Sequence, residues 1–407
     1  MKRESFGLTL ALLCVSLLTG CGNQAATGTA LQPPAAPAPA VWCGGVKAQT
    51  VPRRAFVTPA RLMTAAPGVA GDHPLSLTGL PLPPENPLYP LVKPGWDKSR
   101  WEQATMRVLP GCEAPVIAVI EGGFQDLDEL SVNLAPVDSW LDLHALRQGQ
   151  AGGDPAMTDR DRAAVTSHGR ATAGVIADVA GSGVGLPGYG YNLLRVLPIS
   201  IPLKSAFLAR AIEYAALGRT TVGEQVFVNK APAQVINLSL ATDVVDAAVQ
   251  LALARAAEAG VVVVASSGNA GREGVFYPAS DPNVLAVGAY DDAGMTTSYT
   301  STGPELFALG YGRTYTRVPA STQGPESFVA EDGTSFGSPF VAAQLGLWLY
   351  SNSHYAGAMF AGYSGSDHLN FALKCLSSAG EATASASRGV GVIDASRLVS
   401  AGNLACR

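Results

Sequence analysis

Charge is scarce in this 407-residue chain, with 14% Asp, Glu, Lys and Arg where soluble domains carry about 25%. With 47% hydrophobic residues, that scarcity excludes a disordered polymer and points to a large buried core. Basic residues are few: 27 Lys and Arg stand against 32 Asp and Glu, a net charge of −5. With no long basic run among them, nucleic acid is excluded as the main partner. The 45 Gly and 28 Pro follow no period, which excludes collagen. No CxxC pair or nearby His cluster accompanies the six cysteines, so structural zinc is the weaker reading of them. Past the first twenty residues no apolar run is long enough to be a transmembrane candidate.

What is present begins with an address. Lys2 and Arg3 precede an apolar stretch from Phe6 to Leu18, the layout of a secretory signal peptide. The run Leu18-Thr19-Gly20-Cys21 resembles a bacterial lipobox, so residues 1–20 are expected to be removed and Cys21 lipidated. This predicts an exported protein, anchored to the bacterial cell membrane or envelope on its extracytoplasmic side through the lipid alone. Cys43, Cys112, Cys375 and Cys406 then remain, an even number that suits two disulfides. Of three pairings, Cys43–Cys112 with Cys375–Cys406 closes a local loop near each terminus. Residues 21–40 read as an Ala/Pro-rich tether after Cys21. Residues 41–100 read as a Pro-rich extension wrapped on the main domain and pinned by Trp42, Trp96 and Trp101.

From residue 115 the pattern turns regular. Short apolar runs at 115–120, 193–199, 234–241 and 261–269 read as buried strands. Between them, 168–180, 205–218 and 244–260 read as helices, the second stopped by Gly218. Alternating strands and helices predict an α/β fold, a mostly parallel sheet covered on both faces. Such folds bind ligands at the carboxyl ends of their strands, which directs attention to Glu121, Ala241 and Asn269. Ser335 opens another apolar helix after Gly333, where helix N–H groups favour negative charge, and Pro339 fixes that start. An isolated serine there reads simply as a cap. His168 in Ser-His-Gly, Asn269 in Ser-Gly-Asn-Ala-Gly and Glu121 after the first strand are the companions that give it chemistry. His73, His144, His354 and His368 carry no surrounding pattern and receive no role.

Four blocks along residues 115–343 resemble, in order, those of the subtilisin-like serine proteases, the subtilase family: VIAVIEGG, HGRATAGVIA, ASSGNAG and DGTSFGSPFVAA. INLSLA, YPASDPNVLAVGAYD and GVGVIDASRLVS extend the likeness over roughly residues 85–402. The resemblance implies a three-layer fold over a catalytic domain at 101–407, and peptide-bond hydrolysis through an acyl-enzyme. It implies Ser335 as nucleophile, His168 as general base and Glu121 in the acid position. Asn269 and the Ser335 N–H would form the oxyanion hole. Ser239, Leu240, Ala241, Ser266, Ser267 and Gly268 would line the primary substrate pocket. Protein or peptide substrates are expected, and no cofactor is required. Calcium is common in the family, but no compact acidic loop here is assigned to it.

The chain departs from the family at several points. Glu121-Gly122 stands where the family has Asp followed by Thr or Ser, and the extra methylene moves the carboxylate by about 1.5 Å unless the backbone compensates. Asp126 and Asp128 are nearby acids that could substitute for it. Arg170 and Ala171 replace Thr-His, Asp332 replaces a residue that is commonly serine, and Ala241 replaces a pocket glycine. Residues 22–100 carry no recognisable inhibitory chaperone pattern. Glu121-Gly122 leaves a second reading open, a pseudoprotease acting as a peptide-binding or scaffolding lipoprotein. A lipoprotein esterase or amidase on the same site is a third.

Overall fold

A computed structural model describes residues 89–100, 103–104, 114–127, 130, 133–144, 159–178, 188–190, 192–318, 327–351, 376–377, 379–381 and 391–399, all within the compact unit Pro39–Arg407. The signal, lipidation and tether expectations lie outside the described residues. So do Trp42, Trp101, Asp128 and the disulfide expectations for Cys43, Cys112, Cys375 and Cys406.

The chain enters through α1 (Tyr89–Lys98), whose Trp96 is buried edge-on against Tyr189 at 4.9 Å between ring centroids. Strand β1 (Val116–Glu121) is followed by β2 (Leu141–Asp142), α2 (Asp159–Ala177), β3 (Arg195–Ser200) and α3 (Ser205–Leu217). A hairpin, β4 (Arg219–Val222) and β5 (Gln225–Val228), turns through Gly223 at φ 59°. Then come β6 (Val235–Leu238), α4 (Ala247–Glu258), β7 (Val262–Ser266), β8 (Val284–Tyr290) and β9 (Leu306–Tyr311). A second hairpin, β10 (Arg313–Val318) and β11 (Ser327–Asp332), runs directly into α5 (Thr334–Ser351). The described chain closes with β12 (Gly380–Glu381), β13 (Gly391–Ile393) and α6 (Ala395–Val399).

Nine of these strands form one sheet in the order β12-β13-β9-β8-β7-β6-β1-β3-β2, parallel except at β12–β13. Residues of β1 alternate between two cores: Ile117 and Val119 pack with α2 and α5, and Ala118 and Ile120 with α3 and α4. Both faces are therefore dry, which is why the strands read as continuous apolar runs. The expected three-layer α/β fold is what the chain adopts. Strand order reverses at β1, which pairs with β3 on one side and β6 on the other, so the crevice of this sheet opens at the carboxyl ends of β1 and β6.

Element ends differ from the sequence reading for local reasons. Helix α2 starts nine residues before His168, so the histidine lies mid-helix and not at a helix start; the polar segment 159–167 carried no apolar stripe to mark it. Glu121 is the last residue of β1 rather than the first of a loop, paired in register with Ser200. Helix α4 starts at Ala247 because the Asp246 carboxylate caps it, accepting from the N–H of Ala248 and Val249 at 2.8 and 3.2 Å. Gly218 ends α3 in the left-handed region, as its position suggested. Helix α5 begins at Thr334, so Pro339 is its sixth residue and lies past the first turn.

Helix α5 is apolar all round and buried along nearly its whole length, as a helix inside a large core must be. It sits on the backbone of the sheet. A Cβ on Gly310 would lie 2.0 Å from the Gly337 carbonyl oxygen, and one on Gly337 would lie 2.4 Å from that of Gly288. Backbone oxygens cannot swing aside as side-chain tips do. Gly337→Ala is therefore expected to cost at least about 1–3 kcal/mol of stability, seen as a lower thermal unfolding midpoint. Gly223→Asn, in open space at a turn that accepts positive φ, should stay within about 0.5 kcal/mol of the parent chain.

Candidate active site

Glu121 ends β1 with its side chain 2% exposed, and a carboxylate so placed needs partners. Helix α2 supplies two of them one turn apart on a single face. His168 Nδ1 lies 3.2 Å from Oε2, and the Thr172 hydroxyl lies 3.2 Å from Oε1. The single Thr172 proton is shared with the Gly169 carbonyl at 3.0 Å. The helix comes this close because glycines face it. A Cβ on Gly122 would meet Val165 at 2.2 Å, and one on Gly169 would meet the Gly123 carbonyl oxygen at 2.0 Å. Gly122 is thus a buried contact point and not a loosened loop. Asp126 is exposed, with its carbonyl accepting from Arg170 Nε at 3.1 Å, and it makes no bond to His168 among the described residues.

His168 is 30% exposed. Burial alone would lower the pKa of its imidazole. The charge and hydrogen bond of Glu121, with the more distant Glu331 carboxylate, outweigh that and hold it above the ordinary 6.5. The same ring leans on Phe336, the residue after Ser335, with centroids 5.9 Å apart. The acid, the imidazole and the head of α5 are thereby brought to one place. Ser335 is half-buried in the first turn of that helix, where backbone N–H groups have no intrahelical acceptor.

Asn269 is exposed just beyond β7, and its amide orientation is fixed by chemistry. The Thr334 N–H, which can only donate, lies 2.9 Å from Asn269 Oδ1, and the Thr334 hydroxyl donates to the same oxygen at 2.7 Å. Thr334 Oγ1 in turn accepts from the Gly268 N–H at 3.3 Å. With Oδ1 held by two donors, Nδ2 is the atom left to meet something arriving at Ser335.

The expected pocket residues divide. Ala241 is exposed and Leu240 half-buried, whereas Ser239, Ser266 and Ser267 are buried. The Ser239 hydroxyl faces α5, bonded to the Ser335 carbonyl. Gly268 holds φ +102°, and a Cβ there would strike Phe276 at 2.3 Å. Sequence reading overlooked Thr172, which sits one helical turn after His168 and could have been found by that spacing. It also gave His144 no role, yet its Nε2 lies 2.8 Å from the Gly122 carbonyl, directly behind the acid. No local pattern announces that contact. Asp332 gains a reason from its cross-strand partner: Arg313 grips it with Nε and Nη2 at 2.7 and 3.1 Å, clamping the base of the hairpin that leads into α5.

Among known proteins, the family model of the subtilases matches residues 113–368. An extracellular protease of Xanthomonas campestris pv. campestris is 30% identical over 278 residues, which is 63% of this chain and 45% of that protein. A subtilisin of Bacillus pumilus is 29% identical over 202 residues, 47% of this chain and 66% of the relative. The chain thus spans less than two thirds of either relative's length. A solved protease of Pseudoalteromonas arctica PAMC 21717 aligns with 76% of this chain and 92% of its own, at a TM-score of 0.55 and 22% identity. MycP1 with its N-terminal propeptide removed aligns with 76% of this chain and 98% of its own, at 0.53 and 20%. At such identities the likeness is one of fold.

The electrostatics give a direct expectation. The His168 ring should titrate above pH 6.5, followed by NMR of its ring protons. In Glu121→Gln the charge is gone while burial remains, so the midpoint should fall below 6.5. A midpoint that does not move would show that the carboxylate exerts no control.

Proposed function

The chain belongs to the subtilase family, and from that premise we propose that it is an exported serine endopeptidase, held at the membrane by a lipid on Cys21. One observation carries the reading: buried Glu121 is bonded to Nδ1 of a half-exposed His168, beside a helix whose first residue locks the Asn269 amide. A proton on Nδ1, donated to Glu121, leaves the Nε2 lone pair as the base. Ser335 Oγ attacks the scissile carbonyl as His168 Nε2 takes its proton, and the imidazolium gains from the carboxylate behind it. The C–N bond breaks as Nε2 passes that proton to the leaving amine. Water then releases the acyl group by the same steps. Asn269 Nδ2 and the Ser335 N–H donate to the tetrahedral oxyanion. Among the described residues no hydrogen bond joins His168 Nε2 to the Ser335 hydroxyl, a contact that commonly tightens only when substrate is bound.

Protein or peptide substrates follow from the relatives, one of which is named an extracellular protease. Export and anchoring rest on the Lys2-Arg3 n-region and the lipobox-like run before Cys21.

The test is labelling of the purified chain with a fluorophosphonate probe, which modifies an activated serine. The wild type should label, and Ser335→Ala should not. Equal labelling would leave the peptide-binding, scaffolding lipoprotein as the surviving reading, while labelling with ester but no peptide hydrolysis would favour the esterase. Asn269→Ala is expected to lower turnover by the factor of about 10²–10³ that loss of this donor costs a subtilisin. Glu121→Asp should also lower turnover, by about 10²-fold, because retreat by one methylene takes the carboxylate out of reach of both His168 and Thr172. A rise in turnover would mean that glutamate is a handicap at this position.

A further inference from the structure

The sixth residue of α5 is a proline, and the consequence falls on Ser335. In an α-helix each N–H bonds the carbonyl four residues earlier. Pro339 has no N–H, and the residue four before it is Ser335. The Ser335 carbonyl is therefore denied its regular helical donor. The hydroxyl of Ser239 takes that place, with Oγ donating to the Ser335 oxygen at 2.7 Å.

Ser239 directly follows β6, at the carboxyl end of the strand beside β1. Its side chain is held as firmly as it holds. Asn237 Nδ2 donates to Ser239 Oγ at 3.1 Å, and Ser338 Oγ lies 3.1 Å from the same oxygen. With the Ser239 proton committed to the carbonyl, Ser338 must be the donor in their contact, and one donation plus two acceptances fill the hydroxyl's capacity. Asn237 and Ser338 are fully buried, and Ser239 is 5% exposed. Water has little access to replace any member.

We infer that Ser239 is a positioning residue for Ser335. Its hydroxyl supplies the hydrogen bond that Pro339 cannot, and ties the backbone of the serine to the end of β6. The direction of the Ser335 side chain and of its N–H is thereby fixed relative to Glu121, which ends the adjoining strand. This rests on the reading of Ser335 as the nucleophile, and it gives Ser239 a task other than lining the substrate pocket.

Ser239→Ala removes one oxygen and adds no bulk. Fluorophosphonate labelling and kcat for a peptide substrate should fall about ten- to hundredfold, the scale of a buried carbonyl left without its donor. KM should change by less than about threefold, because a misdirected nucleophile acts on the chemical step. The decisive comparison uses Pro339→Ala, which restores an N–H four residues after Ser335. In that background the same Ser239→Ala change should cost less than about threefold, since the helix now supplies the bond. An equal loss in both backgrounds, or no loss in the first, overturns the inference. Hydrogen exchange across residues 333–340 reads the tie without any activity. Exchange should quicken by about tenfold or more in Ser239→Ala and not in the double variant relative to Pro339→Ala; unchanged exchange in Ser239→Ala also overturns it. If the wild-type chain labels no better than Ser335→Ala, the protease reading falls while the exchange experiment still decides whether the tie exists.

Discussion

A helix can rest directly on the backbone of a sheet only where both surfaces lack side chains. Gly288, Gly310 and Gly337 provide such a place, and α5 settles on it with its head at the carboxyl ends of the strands. Everything at the site takes its coordinates from that seating. Thr334, first in the helix, reaches Asn269; Ser335 meets Ser239; Phe336 leans on His168. Neither hydrogen bond would keep its length if the helix rode higher on larger residues. Dense packing fixes these distances because a core does not deform by fractions of an ångström without cost.

On that frame, the Glu121–His168 pair sets a balance between two opposed effects. Taking an imidazole partly out of water disfavours its charged form, and a carboxylate beside it favours that form. Glu121 wins in this protein, with help from Glu331 on the strand that feeds α5. The extra methylene of glutamate, which the sequence made an obstacle, carries the carboxylate to two residues of one helical face. His144 braces the turn behind it through the Gly122 carbonyl.

Much of this was legible before any coordinates. Buried parallel strands announce themselves as short β-branched runs, and Gly218 and the motif around Ser335 mark real boundaries. What could not be read has physical causes. The start of α2 lies in a polar stretch, where periodicity is silent. The partners of Asp332 and His144 are set by strand pairing and by tertiary approach, which no local spacing encodes. Ser239 lay within a recognised segment, yet the direction of its side chain depends on the missing N–H of a proline far along the chain.

The order of these parts along the chain has a consequence for how the molecule comes into being. Glu121 on β1, His168 on α2 and Asn269 just past β7 are made first, whereas Ser335 emerges after β9 and the β10–β11 hairpin. With Ser335 as the proposed nucleophile, a chain synthesised only as far as β9 would hold acid, base and amide with nothing to attack a peptide. Pairings this distant in sequence also form slowly. Ser335 therefore joins the other three only after seven of the sheet's nine strands have been made, with β12 and β13 still to close its edge.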